Sequence, residues 1–279
     1  MSHLKIHTVF SPDRPKDKNY ASAFIDELGQ APADEADYYF AAGGDGTKYW
    51  SLKLSLDNTR NPVIAGTPSI SNSKGHNNDH GIHTPKDLLE RLQNPELITL
   101  TPLEAKITFS NGNTTVIHSF NDISVLRSDR QAGLFNIKKN GEMLYPRLMG
   151  CGAIISTGMG STGLNDSHNG RIIPIDDNRL ILNGIGICKD YRRKISNPKG
   201  FVSSKNPQDT IFEFNFSSVK IGRNVKLSYD TGSVDYDDDG SPIASIEIKS
   251  LPDKTVDIVK KIETESILRR AIKMLDFHY

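Results

Sequence analysis

Cysteine is nearly absent: Cys151 and Cys188 are the only two in 279 residues. Two thiols set in otherwise apolar stretches cannot staple a secreted scaffold. An excess of charge is missing as well, with 34 basic residues against 34 acidic ones. A balanced chain sets up no global field to draw in nucleic acid or anionic lipid. No apolar run approaches the ~20 residues that a transmembrane helix needs. The opening, Met1 to Lys5, carries no apolar h-region, so no secretory signal is read there. The expectation is a cytoplasmic protein without membrane or nucleic-acid partners. Hydrophobic residues are not in short supply: 36% of the chain, beside 24% charged residues, is ordinary for a folded protein. At ~100–200 residues per domain, this length accommodates two.

What is present divides in two by periodicity. Leu4 to Phe10 reads as a strand, Ser11 to Asn19 as a polar loop, and Tyr20 to Leu28 as a helix. That helix carries Phe24, Ile25 and Leu28 on one face, with Gly29 as C-cap. Tyr38 to Ala42 is a short apolar run that stops at glycines, which suits a buried parallel strand. Thr47 to Leu56 follows as a helix offering Trp50, Leu52, Leu54 and Leu56 for packing, and Pro62 to Gly66 is the next strand. The Ser69 to Gly81 stretch reads as a loop. Thr84 then opens a helix as N-cap, with Pro85 at N1 and Asp87 in capping-box position. Strands alternating with helices predict an α/β domain over residues 1–100, with a parallel sheet flanked by helices.

Beyond Pro102 the period shortens to two, in Lys106 to Phe109, Thr114 to Phe120, Phe212 to Phe216 and Ser245 to Ile248. Asn140-Gly141 favours a tight hairpin turn between strand-like runs. A β-rich, sandwich-like domain is expected over 101–255. Residues 256–279 are read as a closing tail, helical from Glu263 to Phe277, packing back on the first domain.

The sharpest local signal is Gly43-Gly44-Asp45-Gly46-Thr47, between an expected strand and an expected helix. Open α/β sheets bind ligands at the carboxyl ends of their strands. Glycines let backbone N–H groups approach phosphate oxygens, and the helix N-terminus adds partial positive charge. A carboxylate beside phosphates repels them unless it holds a metal or takes a proton from an attacking hydroxyl. Both roles belong to phosphoryl transfer. A bare Gly-Asp-Gly turn is the competing reading.

Gly-Gly-Asp-Gly-Thr after an apolar strand resembles the NAD kinases and their relatives, the diacylglycerol and sphingosine kinases and phosphofructokinase. Two further segments resemble the NAD kinase branch. Phe120-Asn121-Asp122 before Ile123-Ser124-Val125 is similar to that family's Asn-Glu motif, with aspartate in place of glutamate. Ser156 to Ser167, continuing through Gly170 to Pro174, is similar to its long segment rich in glycine and threonine. The resemblance implies an NAD kinase-like fold and transfer of the γ-phosphoryl of ATP, or a phosphoryl of polyphosphate, to the 2′-hydroxyl of the adenosine ribose of NAD(H).

It also implies roles. Asp45 would accept the hydroxyl proton or orient the hydroxyl with a metal, and Gly43, Gly44, Gly46 and Thr47 would cradle phosphate oxygens. Asn121, whose amide offers both donor and acceptor, would bind adenosine beside Asp122. Thr157, Ser161, Thr162, Asn165 and Ser167 would give polar contacts to the dinucleotide. Mg²⁺ is expected with ATP, in a crevice between the domains, and the family's habit implies a homodimer or homotetramer. Three departures stand out: Cys151 lies where the family has an aspartate between two glycines, Leu164 where it has an aromatic, and Gly66 to Asn72 where its loop after the third strand presents an aromatic to adenine. Each lost aromatic removes stacking surface worth ~1–3 kcal/mol in nucleotide binding. A lipid or sugar kinase of the same superfamily, and a non-catalytic nucleotide sensor, are the rival readings.

Three other features are read as structural. Gly158 to Gly163 spells G-x-G-x-x-G, but β-like runs follow it instead of the helix and second parallel strand of a dinucleotide fold. His76, His80 and His83 fall in a loop-like stretch, so no metal held by protein ligands is assigned. Asp235 to Gly240 reads as a charged hairpin tip between Val234 and Ile243.

Overall fold

The computed structural model describes residues 4–67, 82–188, 201–202, 209–216, 224–230 and 232–260. Two compact units emerge: residues up to Leu100 together with those from Lys254, and Thr101–Asp253. The first begins with β1 (Ile6–Val9), α1 (Pro15–Leu28), β2 (Tyr38–Ala42), α2 (Asp45–Asp57), β3 (Val63–Thr67), α3 (Pro85–Gln93) and β4 (Leu97–Leu100). The second holds β5 (Leu103–Phe109), β6 (Thr114–Ser119), β7 (Asp122–Arg127), β8 (Gly133–Lys139), β9 (Glu142–Gly150) and β10 (Gly152–Ser156). It continues with α4 (Leu164–Ser167), β11 (Ile181–Ile185), β12 (Phe201–Val202), β13 (Ile211–Asn215), β14 (Val225–Tyr229), β15 (Gly232–Val234) and β16 (Ile243–Ser250). The chain then returns to the first unit through β17 (Val256–Val259).

In the first unit β1, β2 and β3 lie side by side and parallel. β17 runs parallel to β3 and antiparallel to β4, giving the order β1-β2-β3-β17-β4. Residues 256–259 are therefore a sheet strand and not the start of a helical tail. The helix expected over Glu263–Phe277 lies outside the described residues, as does the whole Ser69–Gly81 loop with His76 and His80. Phe24 of α1 packs on Phe40 of β2 with ring centroids 4.4 Å apart, within a core that also holds Ile6, Ala21, Ala65, Leu88 and Leu92. α1 starts at Pro15, inside the stretch expected to be loop, because proline is at home at a helix start and Asp17 is the buried residue of that first turn. The capping box of α3 forms as its sequence predicts: Thr84 accepts from the N–H of Asp87, and Asp87 accepts from the N–H of Thr84.

Two six-stranded antiparallel sheets make the second unit, in the orders β12-β11-β10-β7-β14-β15 and β6-β5-β16-β13-β8-β9. Alternation places Ile123, Val125 and Ile155 with Ile107, Phe135, Phe214 and Ile246 in one buried cluster. Asn140 (φ 51°) and Gly141 (φ 81°) turn β8 into β9, the two left-handed positions that such a hairpin demands. β10 is antiparallel to both neighbours, which rules out a dinucleotide βαβ unit at Gly158–Gly163. Asp237 closes the acidic tip: its carboxylate accepts the N–H groups of Asp239 and Ser241 and the side-chain amides of Asn111 and Asn113.

Candidate functional site

In the first unit, the glycine-rich loop is held against the carboxyl end of the parallel sheet. The Gly43 N–H donates to the carbonyl of Thr67, at the end of β3, at 3.0 Å. A Cβ on Gly43 would stand 2.3 Å from Thr47 Oγ1, so the turn of chain that leads into α2 closes only around a glycine. Gly44 is the N-cap and Asp45 the first helical residue, half-buried, while Gly46 is exposed. Nothing stands within 4 Å of a Cβ on Gly44 or Gly46, so this side of the loop is open to a ligand. The first turn of a helix has N–H groups without intrahelical partners, and these suit phosphate oxygens.

α2 then meets the sheet through a polar face. Thr47, Lys48, Ser51, Leu52 and Ser55 are buried, while Trp50, expected to pack, is 45% exposed. Ser51 donates to the Thr47 carbonyl and Ser55 to the Pro62 carbonyl, so the buried hydroxyls are spent on backbone. Lys48, only 3% exposed beside the glycine loop, was not singled out from the sequence. Its signal is its place one turn after Gly44, on the face that α2 buries.

In the second unit, Asn121 and Asp122 come together with the segment after β10. Thr157 lies at the end of β10, and its hydroxyl donates to the carbonyl of Phe120 at 2.6 Å, while its N–H donates to the carbonyl of Asn121 at 2.9 Å. A Cβ on Gly160 would fall 2.1 Å from the Asn121 carbonyl oxygen, so the two backbones touch there. Ser161 and Asn165 are fully buried. Ser161 Oγ donates to Gly158, and Asn165 Nδ2 donates to the carbonyls of Ser161 and Arg171. Asn183 Nδ2 in turn reaches Asn165 Oδ1 at 3.3 Å. These polar atoms hold the segment in shape. Thr162 is half-buried, and Ser167 is exposed with its hydroxyl donating to Leu164. Leu164 itself is 41% exposed, and Cys151 is a half-buried free thiol.

Two features give this second group its chemistry. Asn121 Oδ1 is buried and accepts no hydrogen bond from any described residue. Burial pushes the Asp122 carboxyl up to about 7, helped by the negative charge of Asp230. Asp230, unread in the sequence, follows β14 and accepts the backbone N–H groups of Phe120 at 2.5 Å and Asn121 at 3.1 Å. Burial raises its carboxyl as well, against the lowering effect of those bonds. Among the described residues no group of three or more His, Cys, Asp or Glu side chains gathers as a metal site.

No family model matches the chain. Among curated proteins, the NAD kinase of Zymomonas mobilis is 30% identical over 189 residues, spanning 66% of this chain and 70% of that one. The chain belongs to the NAD kinase family. The NAD kinase of Xanthomonas oryzae pv. oryzae is 32% identical over 168 residues, a match that spans 64% of its length. Among solved structures, the fold of this NAD kinase-family chain is shared by yeast NADH kinase complexed with NADH. There the TM-score is 0.75 at 18% identity, covering 99% of this chain and 89% of that one. An NAD kinase from Archaeoglobus fulgidus in complex with ATP gives 0.66 at 18% identity, covering 97% and 99%. The layout of a parallel-containing sheet and a β-rich partner unit is thus the NAD kinase layout. No helix among the described residues is long and apolar enough to cross a membrane.

Proposed function

We propose that this NAD kinase-family chain moves the γ-phosphoryl of ATP to the 2′-hydroxyl of the adenosine ribose of NAD(H), giving NADP(H) and ADP. The single observation that carries the assignment of roles is the open glycine loop that puts Asp45 at the first position of α2. Backbone N–H groups around Gly44 and Gly46 bind the donor phosphates, Thr47 fixes the turn by donating its N–H to the Gly44 carbonyl, and Gly43 keeps the loop closed on Thr47. As the 2′-oxygen bonds to the γ-phosphorus, the bond from that phosphorus to the β–γ bridging oxygen breaks, and ADP departs with its electrons. Asp45 takes the proton that the hydroxyl gives up.

Mg²⁺ suits this site. It takes one or two carboxylates together with substrate phosphates rather than a full protein cage, and Asp45 brings a carboxylate to the glycine loop at the start of α2. Its part when bound is to neutralise phosphate charge. In the second unit, Asn121 Oδ1 is a buried acceptor awaiting a donor, such as an adenine amino group or a ribose hydroxyl. Asp122, with its raised carboxyl, lies beside it, and the half-buried Thr162 and the exposed Ser167 offer polar contacts. Thr157, Ser161 and Asn165 position the segment. A cytoplasmic homo-oligomer accompanies this reading.

The test is direct. Purified protein with Mg-ATP and NAD⁺ or NADH is followed through an NADP-specific dehydrogenase, with polyphosphate as a second donor. Asp45→Asn is expected to keep the fold by circular dichroism and to lose at least ~100-fold in rate, the usual scale for a removed general base. Wild-type rates in that variant would refute the role of Asp45.

A further inference from the structure

Asp230 has no place in the roles assigned above, yet its side chain is the hub of the turn that delivers Asn121 and Asp122. One step beyond the Tyr229–Ile123 pair of β14 and β7, Asp230 comes opposite Asp122. Its Oδ2 accepts the Phe120 N–H at 2.5 Å, and its Oδ1 accepts the Asn121 N–H at 3.1 Å. Successive N–H groups turned toward one carboxylate form the concavity that peptide backbones use to grip anions, and here two of them do so. Here the anion belongs to the chain itself.

The other side of the same turn is pinned independently. Ser119 Oγ donates to the Asp122 carbonyl at 2.7 Å, and Thr157 bonds the carbonyls of Phe120 and Asn121. Carbonyls are thus held by hydroxyls and N–H groups by Asp230, which leaves the backbone of residues 120–122 no freedom to turn. The Asn121 side chain is not part of that net: its Oδ1 is buried and accepts nothing from the described residues. A buried acceptor of this kind costs free energy unless a donor arrives. The turn bears that cost because its backbone is fixed from both sides.

We infer that Asp230 is a positioning residue for dinucleotide binding, gripping the N–H groups of Phe120 and Asn121 so that Asn121 meets the adenosine of NAD(H) preorganised. The inference rests on the role proposed above for Asn121. Asp230 acts through the turn and touches no reacting atom.

The experiment measures KM for NAD⁺ and NADH, KM for ATP and kcat in the wild type and in Asp230→Asn, together with thermal unfolding. The asparagine keeps the size but gives up the charge and one acceptor oxygen. KM for the dinucleotide should rise roughly tenfold or more, the scale of lost hydrogen bonds to a charged group. kcat and KM for ATP should stay within about twofold, since a preorganising contact acts on binding of one substrate. Adding Asn121→Ala should then cost less than it does in the wild type, because both changes remove the same preorganised contact. If Asp230→Asn does not fold, Asp230→Glu keeps the charge on an arm one methylene longer and is read in the same way. An unchanged dinucleotide KM, a fall in kcat alone, or full additivity with Asn121→Ala overturns the inference. Absence of NADP(H) formation by the wild type counts instead against the proposed reaction.

Discussion

Asp122 binds a proton in the folded chain at pH values where the unfolded chain has released it. Its folded value is about 7 against an ordinary 3.8, with burial the larger cause and the charge of Asp230 the smaller. Stability from this group is therefore present in full below about pH 4 and lost as pH rises through about 7. Asp230 shifts in the same direction. Denaturant midpoints are expected to fall between about pH 5 and pH 7.5, and Asp122→Asn to flatten that slope. A slope in the variant as steep as in the wild type would show that other groups set it. Of these two aspartates only Asp122 could be found by reading along the chain, since it stands in a motif. Asp230 is tied to Asn121 across 109 positions, and no local pattern announces a carboxylate that caps a distant turn. The same holds for Ser161 and Asn165. Their types fit substrate contacts, but whether a hydroxyl or an amide faces a ligand or its own backbone is settled only by packing.

At the scale of elements, legibility follows how local the cause is. Thr84 and Asp87 satisfy each other within one turn, so the start of α3 is written in four residues. Thr84→Ala is expected to cost about 1 kcal/mol, as cap removal does, measured as a lowered thermal midpoint. Asn140-Gly141 is equally local, because its backbone angles depend on those two residues. α2 shows the opposite case. Apolar spacing offered Trp50 for packing, while the helix buries Ser51 and Ser55 and leaves the indole in contact with solvent. Small side chains that bond backbone carbonyls let a helix lie close to a sheet, and a hydrophobicity pattern is blind to that arrangement. The beginning of α1 was missed for a similar reason: Lys16, Asp17 and Lys18 look like loop, although Pro15 supplies a good first helical residue.

At the scale of the molecule, the division of the chain into a parallel-containing unit and a β-rich one was legible from the change of period after Pro102. The position of β17 was not, because Val256–Val259 is four residues long and pairs with strands far back in the chain, Ile258 with Ile64 of β3 and Val256 with Leu100 of β4. This strand is the bridge in the sheet: without it, β3 and β4 have no hydrogen-bonded contact in the order β1-β2-β3-β17-β4. A chain ending at Asp253 should keep slow amide hydrogen exchange in β5, β8, β13 and β16, whose pairing is complete within the second unit. It should lose protection in β3 and β4. Protection of β4 equal to that in the full chain would show that the sheet closes without its returning strand.

The same interruption sets a timetable for synthesis. Ribosomes release chains amino end first, and domains commonly fold in that order as they emerge. Here the sheet that carries the glycine loop is begun first and finished last. Its fourth strand leaves the ribosome only after every residue of the β-rich unit has done so. Until then the inner edge of β3 remains an unpaired ladder of N–H and C=O groups, the kind of edge on which nascent chains stick to one another. For this protein, emergence of Val256–Val259 from the ribosome is the step that covers the inner edge of β3, and any delay before it prolongs the life of a sticky intermediate.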